Sequence, residues 1–406
     1  MSTVPKPCLV NVEGYLERKR DDKQLTYSGY KRSKVLQSFD KDLVGKNPIG
    51  AVYWMSELIV SGEYKTLLNK CIIFFMKNIN ISNPNLPSYM YKVVRILEDI
   101  VVNYKGNTYS IANDQIVRNR ICELVSILAL SDKQKTGTRI KCQDKEFNVA
   151  LLREKMEADG KYLKGFWRSG DERVTLVPFN EFRYHIHRTY NREKAFFWIS
   201  WILELYKRSK RNKVELQFEA RENQVPKRYR TSFVWLLWDI IIREAEDRGD
   251  PHLEREIYAI HKLYKMGFTG RHVTSRISYI LCAVSYLTQT IPPIRFTRDI
   301  CNNYDVLTLI NVQINVLFKG LCNNYDEFLE RVQKRAFYNR SFQNLVCHKQ
   351  TQPQKIQRHV HPPPIPKPIA TRGTQKAAKS VPKIDVKYYS QVGKIANFQY
   401  RRGLNI

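Results

Sequence analysis

Clusters of basic residues are the part of this sequence best suited to chemistry with another molecule. Long cationic side chains that stand at helix ends or in loops can reach the phosphate oxygens of a nucleic acid. Tyrosines accompany two of the clusters, at Tyr30 and Tyr229, where their rings could stack on a base or sugar. We therefore predict sequence-independent, salt-sensitive binding of nucleic acid. The predicted binding residues are Arg18, Lys19, Arg20, Lys31, Arg32, Lys207, Arg208, Lys210, Arg211, Lys213, Lys227, Arg228 and Arg230.

The overall charge favours the same class of partner. The 406 residues include 68 Lys and Arg against 39 Asp and Glu, for a formal net charge of +29. Such a chain repels itself unless salt or an anionic partner screens the charge, and nucleic acid is the first candidate. The alternative is that the lysines are merely solvated on helix surfaces and that the 207–213 cluster is a solubilising loop.

Two sets of histidines and cysteines invite a comparison with metal sites. His185 and His187 could offer two ligands from a strand, and four further candidates follow near the C-terminus. No segment fixes the geometry of either set, since the second lies in a proline-rich stretch that cannot preorganise a tetrahedral site. We therefore expect ordinary histidines and no metal. The four C-terminal candidates are Cys347, His348, His359 and His361.

Catalytic motifs are missing from the chain. A nuclease needs clustered carboxylates that hold a divalent ion, and the nearest approximation is Asp171 and Glu172 with Glu215. The sequence has neither the Gly-x-x-x-x-Gly-Lys phosphate-binding loop nor the Gly-x-Ser-x-Gly turn of a serine hydrolase. We therefore expect no enzymatic activity and no cofactor.

The cysteines and the hydropathy pattern bear on the compartment. The 8 cysteines never form a Cys-x-x-Cys pair, and several lie in apolar helical runs where a thiol behaves as a small hydrophobe. No uninterrupted apolar run approaches the roughly 18 residues of a membrane span, and the N-terminus lacks a signal-peptide core. We expect a protein without membrane contact in a reducing compartment, the cytoplasm or nucleus.

Helical periodicity runs through most of the chain and predicts a mainly all-α fold. The most apolar stretch follows Pro48 and ends at Gly62, which is typical helix punctuation. Val52, Met55 and Ile59 share one face of this helix, whereas Ser56 and Glu57 are predicted to lie off the buried stripe. An alternating pattern over 173–177 predicts a short strand or hairpin. The tryptophans predicted to pack in the core are Trp54, Trp198, Trp201, Trp235 and Trp238.

The predicted organisation has two helical bundles and a tail. We divide the chain into a flexible arm (1–26), a first bundle (27–137), a connector (138–189), a second bundle (190–291), capping helices (292–346) and a disordered, proline- and lysine-rich tail (347–406). Landmarks recur in the same order in both bundles, such as an aromatic helix with tryptophan and a helix that opens with Arg-Ile. This order predicts a tandem duplication.

A series of polar and apolar residues in 27–137 carries a family resemblance. It consists of Tyr30, Ser33, Phe39, Asp40, Lys41, Gly45, Pro48, Ala51, Tyr53, Trp54, Ser61 and Gly62, together with the segments 79–84 and 124–133. In order and spacing these residues resemble the C-terminal helical region of the RarA/Mgs group of clamp-loader-like AAA+ ATPases. In that family the region is an oligomerisation collar attached to a motor at replication forks, so the resemblance implies a helical fold and a replication or repair setting. The motor itself is missing.

Together these features predict a non-enzymatic helical scaffold that associates with nucleic acid in replication, repair or genome handling. Protein partners or self-association are also expected. One alternative is a structural component of a large virus particle or its assembly factory, because the tryptophan-rich second bundle and the Asn-Pro-x-Leu-Pro turn resemble proteins of large nucleocytoplasmic DNA viruses. Another is an adaptor for a separate AAA+ ATPase or clamp.

Overall fold

A computed structural model describes residues 25–137, 140–291 and most of 300–321. The predicted all-α fold is confirmed, since helices dominate and the only β-pairing among these residues is an isolated bridge between Leu25 and Lys31. The predicted arm up to residue 24, residues 322–346 of the predicted capping helices, the predicted tail and the residues Arg18, Lys19 and Arg20 lie outside the described ranges. By their contacts, the described residues fall within one compact unit.

Six helices make up the first half. Short connections join most of them, as expected for a bundle of antiparallel neighbours. Polar side chains mark several of their beginnings, such as Asp114, which accepts a hydrogen bond from the backbone N–H of Val117 at 3.0 Å. The helices are α1 (Arg32–Val44), α2 (Pro48–Val60), α3 (Tyr64–Asn78), α4 (Leu86–Asn103), α5 (Thr108–Asn113) and α6 (Gln115–Leu130).

Helix α2 is the centre of this first half. It begins at Pro48 as predicted, and it packs on α1, α3, α5 and α6. Because helices cover it on several sides, the prediction that Ser56 and Glu57 lie off the buried stripe is wrong, and both side chains are fully buried. Ser56 satisfies its hydroxyl by donating to the carbonyl of Val52, while the Glu57 carboxylate accepts the backbone N–H and the hydroxyl of Ser28 at 2.8 and 2.7 Å.

Two long connectors, 154–175 and 212–233, lie between helices of the second half. Helix α8 follows a 3₁₀ turn over Arg173–Thr175, so the predicted strand or hairpin at 173–177 is wrong. The apolar residues after this turn continue at helical spacing through Phe182 and Ile186, and this longer pattern prevails over the short alternation. The helices are α7 (Val149–Arg153), α8 (Leu176–His187), α9 (Arg192–Arg211), α10 (Val234–Asp247), α11 (Pro251–Lys265), α12 (His272–Ser275) and α13 (Ile277–Thr288).

Helix α13 is the centre of the second half. It contacts α8, α9, α10, α11 and α12, and it also reaches α3 of the first half, while α11 packs along α4. The division into two bundles and the tandem duplication stay predictions. Of the five tryptophans predicted to be buried, Trp54 is half-buried and donates its indole N–H to Asp42 at 3.0 Å. The other four, Trp198, Trp201, Trp235 and Trp238, are almost completely buried.

Candidate nucleic-acid interface

Two basic clusters that are separate in the sequence, 207–213 and 227–230, meet at one cleft. Lys210 and Lys213 come from the C-terminal end of α9, and Arg228 comes from a 3₁₀ turn over Lys227–Tyr229. The cleft has a volume of about 410 Å³. The side chains of all three cations are largely exposed, so they can turn toward a ligand. Cations in such an arrangement form a small electropositive site on the surface.

The end of α9 explains why its cations point outward. Asn191 begins the helix by accepting the N–H of Lys194, and basic residues fill the last turn, where they interact favourably with the helix dipole. Lys213 has a φ of 57°, in the left-handed region, and the N–H of Val214 donates to the carbonyl of Ser209. The chain therefore reverses sharply after the helix, which leaves Lys210 and Lys213 on the surface.

Aromatic rings stand beside the cations. The ammonium nitrogen of Lys210 lies 4.6 Å from the ring centroid of Tyr206, and the guanidinium carbon of Arg228 lies 4.7 Å from the ring of Tyr229. Both tyrosines are half-buried, so part of each ring remains open to a ligand. The backbone under Tyr229 is held in place by Trp235, whose indole N–H donates to the Tyr229 carbonyl at 2.7 Å.

The exposed cations Lys210, Lys213 and Arg228 form the rim of the cleft, and an apolar floor lies beneath them. Phe218, Phe233, Phe268 and Val273 line the cleft and are buried. They come from a loop, from the residue before α10, from the segment after α11 and from α12, so tertiary packing assembles the floor from four parts of the chain. The spacing of Tyr206, one helical turn before Lys210, could have revealed that ring from the sequence, whereas no local signal marks Phe268.

Several other predicted binding residues already have partners in the protein. Arg208 is buried, forms an ion pair with Asp144, and stacks with its guanidinium carbon 3.8 Å from the ring centroid of Phe147. Its side chain is therefore not available to phosphate, which corrects its place in the predicted set. The guanidinium group of Arg211 lies 3.1 Å from Glu204, and Lys207 lies 3.9 Å from the same carboxylate.

None of the remaining predicted residues that the structure describes lines the cleft. Arg230 donates to the carbonyls of Val225 and Asn223, so it fixes the loop that precedes the cleft. Lys227 is exposed next to Arg228 but does not line the cleft. Lys31 is exposed and Arg32 pairs with Glu63 at 2.6 Å; neither lines the cleft.

The histidines considered as metal ligands lie in helix α8 and not in a strand. His185 is buried, with its Nδ1 3.1 Å from the hydroxyl of Thr189, and burial lowers its pKa to about 4. His187 instead places its Nδ1 2.9 Å from Glu244. The two rings thus have separate partners. Within the described ranges no group of three or more His, Cys, Asp or Glu side chains could hold a metal ion, and the four C-terminal candidates lie outside those ranges.

The carboxylates considered as a nuclease site do not converge either. Asp171 is fully buried and accepts hydrogen bonds from Arg221 and from the backbone N–H groups of Arg168 and Glu219. Glu215 lies exposed at the cleft, where it is the only carboxylate among the lining residues. The carboxylate of Asp171 is thus neutralised inside the protein by an arginine.

A second cleft, of about 580 Å³, carries charges of both signs. Its basic side chains include Arg168 and Arg183, and its acidic ones include Asp239, whose pKa burial raises to about 6. Because cations and carboxylates are interspersed there, this cleft offers a polyanion no continuous positive surface. The cleft between α9 and the 3₁₀ turn is the better candidate for nucleic acid.

Comparison with known proteins gives no relative from which a function could be carried over. No family model matches the chain, and neither the curated proteins nor the solved structures contain a significant match. Among the helices that the structure describes, none combines the length and the apolar character needed to cross a membrane.

Proposed function

We propose that this protein is a non-enzymatic helical scaffold that binds nucleic acid at the cleft formed by the end of α9 and the 3₁₀ turn. The observation that carries the proposal is the convergence of Lys210, Lys213 and Arg228 beside two half-exposed tyrosine rings. Cations that contact phosphates, together with rings that stack on bases, are the two elements of sequence-tolerant binding.

The chemistry of the cleft sets what it can recognise. Lysine and arginine contacts to phosphate position a nucleic acid but carry no base information, so the affinity should be similar across sequences. The formal net charge of +29 supports attraction of a polyanion from a distance. Binding in replication, repair or genome handling belongs to the same proposal, and its support is the resemblance of residues 27–137 to the collar of clamp-loader-like ATPases.

The salt dependence of binding tests this proposal. Fluorescence anisotropy with a labelled oligonucleotide should give an affinity that falls steeply between low and physiological salt. In a variant with Lys210→Glu, Lys213→Glu and Arg228→Glu, each lost phosphate contact should reduce the slope of log affinity against log salt by about one. The affinity at low salt should fall by at least about tenfold.

A matched variant distinguishes binding at the cleft from a general effect of net charge. Lys34, Lys65 and Lys92 are exposed lysines of the first half, and reversing all three changes the net charge by the same amount. This control should keep most of the affinity and most of the salt slope. Equal losses in both variants would show that binding follows total charge, and no binding by the unaltered protein at low salt would end the proposal.

A further inference from the structure

The cleft is larger and more apolar than phosphate contacts require. Phosphate neutralisation needs only exposed cations, yet this site continues below its basic rim into a space of about 410 Å³. That volume lies within the range of about 300–1,000 Å³ that is typical of pockets for small organic groups. The rings of Phe218, Phe233 and Phe268 form much of its floor. A planar apolar group fits such a lining better than a phosphate does.

We propose that the cleft receives an unpaired base, so that single-stranded nucleic acid is the preferred ligand. This inference rests on the proposed function. In a duplex the faces of the bases are stacked on one another, and a surface cleft meets only phosphates and groove edges. In a single strand the bases are free to leave the stack and lie against aromatic side chains, which is worth about 1–3 kcal/mol per base.

The arrangement also fits the phosphate and the base of a nucleotide. Lys210, Lys213 and Arg228 are exposed at the rim, whereas Phe233 and Phe268 are buried at the floor. A strand that lies across the rim can therefore keep its phosphates beside the cations while one base points inward. Gly270 also lines the cleft, and a Cβ atom at this position would lie in ordinary contact with the Tyr229 ring, at 3.5 Å.

Oligonucleotides that differ only in their bases provide the test on the unaltered full-length protein. We would compare a single strand of about 16 nucleotides, the duplex of the same length and an abasic single strand with the same phosphates. One stacked base should make the intact strand bind about 5- to 150-fold more tightly than the abasic strand. The duplex should bind less tightly than the intact single strand, because its bases are stacked and cannot enter the cleft.

The outcomes separate this inference from the function on which it rests. If the intact and abasic strands bind equally, or the duplex binds as tightly as the intact strand, the inference is wrong while salt-sensitive binding of nucleic acid stands. If none of the three binds at low salt, both proposals fail.

A cleft-filling variant tests the location without changing the charge. Gly270→Leu places an apolar side chain in the space beside Tyr229, and the φ of Gly270 lies outside the left-handed region, so the backbone tolerates the change. The variant should bind the intact strand with the affinity of the abasic strand, and its affinity for the abasic strand should stay unchanged. If it retains the preference for the intact strand, the base binds elsewhere and the inference is wrong.

Discussion

The two halves of the described structure bury different kinds of side chains. In residues 25–137 the core is mainly aliphatic, with Phe39 and Phe75 as its largest fully buried side chains, and its buried charges include Glu57 and Arg118. Residues 140–291 bury far more large rings and polar groups. They include Trp198, Trp201, Trp235, Trp238, Tyr264, Tyr279 and Tyr286, together with Asp171, Glu181, His185, Glu244, Glu256 and His261.

The connectors account for part of the difference in buried polar groups. Loops in the first half are short, so helices satisfy most of the backbone. The second half contains long non-helical segments whose N–H and C=O groups need other partners. Buried side chains supply them: Glu181 accepts the N–H groups of Glu157 and Ala158, and Arg221 donates to the carbonyl of Phe166 at 3.1 Å. These segments supply part of the lining of the candidate cleft, so the position of that lining depends on the polar side chains that bind the backbone of the segments.

Removing Arg221 should have the largest effect. Its side chain is almost fully buried, it donates to the buried carboxylate of Asp171, and its Nε lies 3.1 Å from Asp239. Arg221→Ala leaves the Asp171 charge without its partner, so the free energy of unfolding should fall by about 3–5 kcal/mol. Urea denaturation followed by circular dichroism measures this change. A loss below about 1 kcal/mol would show that Arg221 does not hold the loops together.

The next prediction concerns the pH dependence of the unfolding free energy. The first half cannot contribute to it through histidine, because residues 1–137 contain no histidine. Burial, Lys265 and Lys262 lower the pKa of His261 from 6.5 to about 3. Above pH 6.5 the ring is neutral in both states. As the pH falls from 6.5 toward 3, the ring of His261 takes up a proton in the unfolded chain but not in the folded protein, so the contribution of this residue to stability falls by about 1.4 kcal/mol per pH unit.

His261→Gln removes this contribution. The unfolding free energy of the variant should decrease less steeply below pH 6.5 than that of the unaltered protein, while His185, whose lowered pKa acts in the same direction, remains in both. Denaturation at a series of pH values measures the two slopes. Parallel pH profiles would contradict the prediction.

Helix capping should affect both halves to a similar extent. Asp114 begins α6, and Asp250 begins α11 by accepting the N–H groups of His252 and Leu253. Asp→Ala at either position should cost about 0.5–2 kcal/mol, measured by thermal or urea denaturation. The Asp114 variant should lose more, because Asp114 also accepts the hydroxyl of Tyr104 at 2.9 Å. Asp→Asn variants, which keep the acceptor, should lose less at both positions.

The smallest effect is expected at Arg32. Its guanidinium group pairs with Glu63, but both side chains are partly exposed to solvent, at 37% and 27%. An ion pair in that setting contributes about 0–1 kcal/mol, so Arg32→Ala should barely change the urea midpoint. A loss as large as that of Arg221→Ala would mean that the first half depends on ion pairs as much as the second.

Local signals in the sequence predicted much of the helical fold. Pro48 and the helical spacing of Val52, Met55 and Ile59 predicted both the position of α2 and one of its buried faces, as the structure confirms. Ile116 begins the apolar repeat of α6, yet its side chain is 44% exposed because it lies in the first turn of the helix. Periodicity predicts which residues share a face, but neighbouring helices decide how much of that face is covered.

Three features depend on residues that are distant in the sequence. The pairing of Arg221 with Asp171 joins two loops 50 residues apart, and no local sequence pattern predicts it. The burial of Arg208 removes one predicted phosphate ligand because Asp144 and Phe147 pack against it. The cleft combines the end of α9 with Phe268 and Val273, which follow α11 much later in the chain.

The sequence by itself determined the helical class, most helix positions, the burial of four tryptophans and the surplus of positive charge. These properties follow from side-chain volume, polarity and spacing along one segment, which local physics governs. Only the tertiary structure decided which cations remain free and which aromatic rings stand beside them. Those outcomes depend on which distant segments pack together, because burial and charge pairing are properties of contacts between segments and not of any one segment.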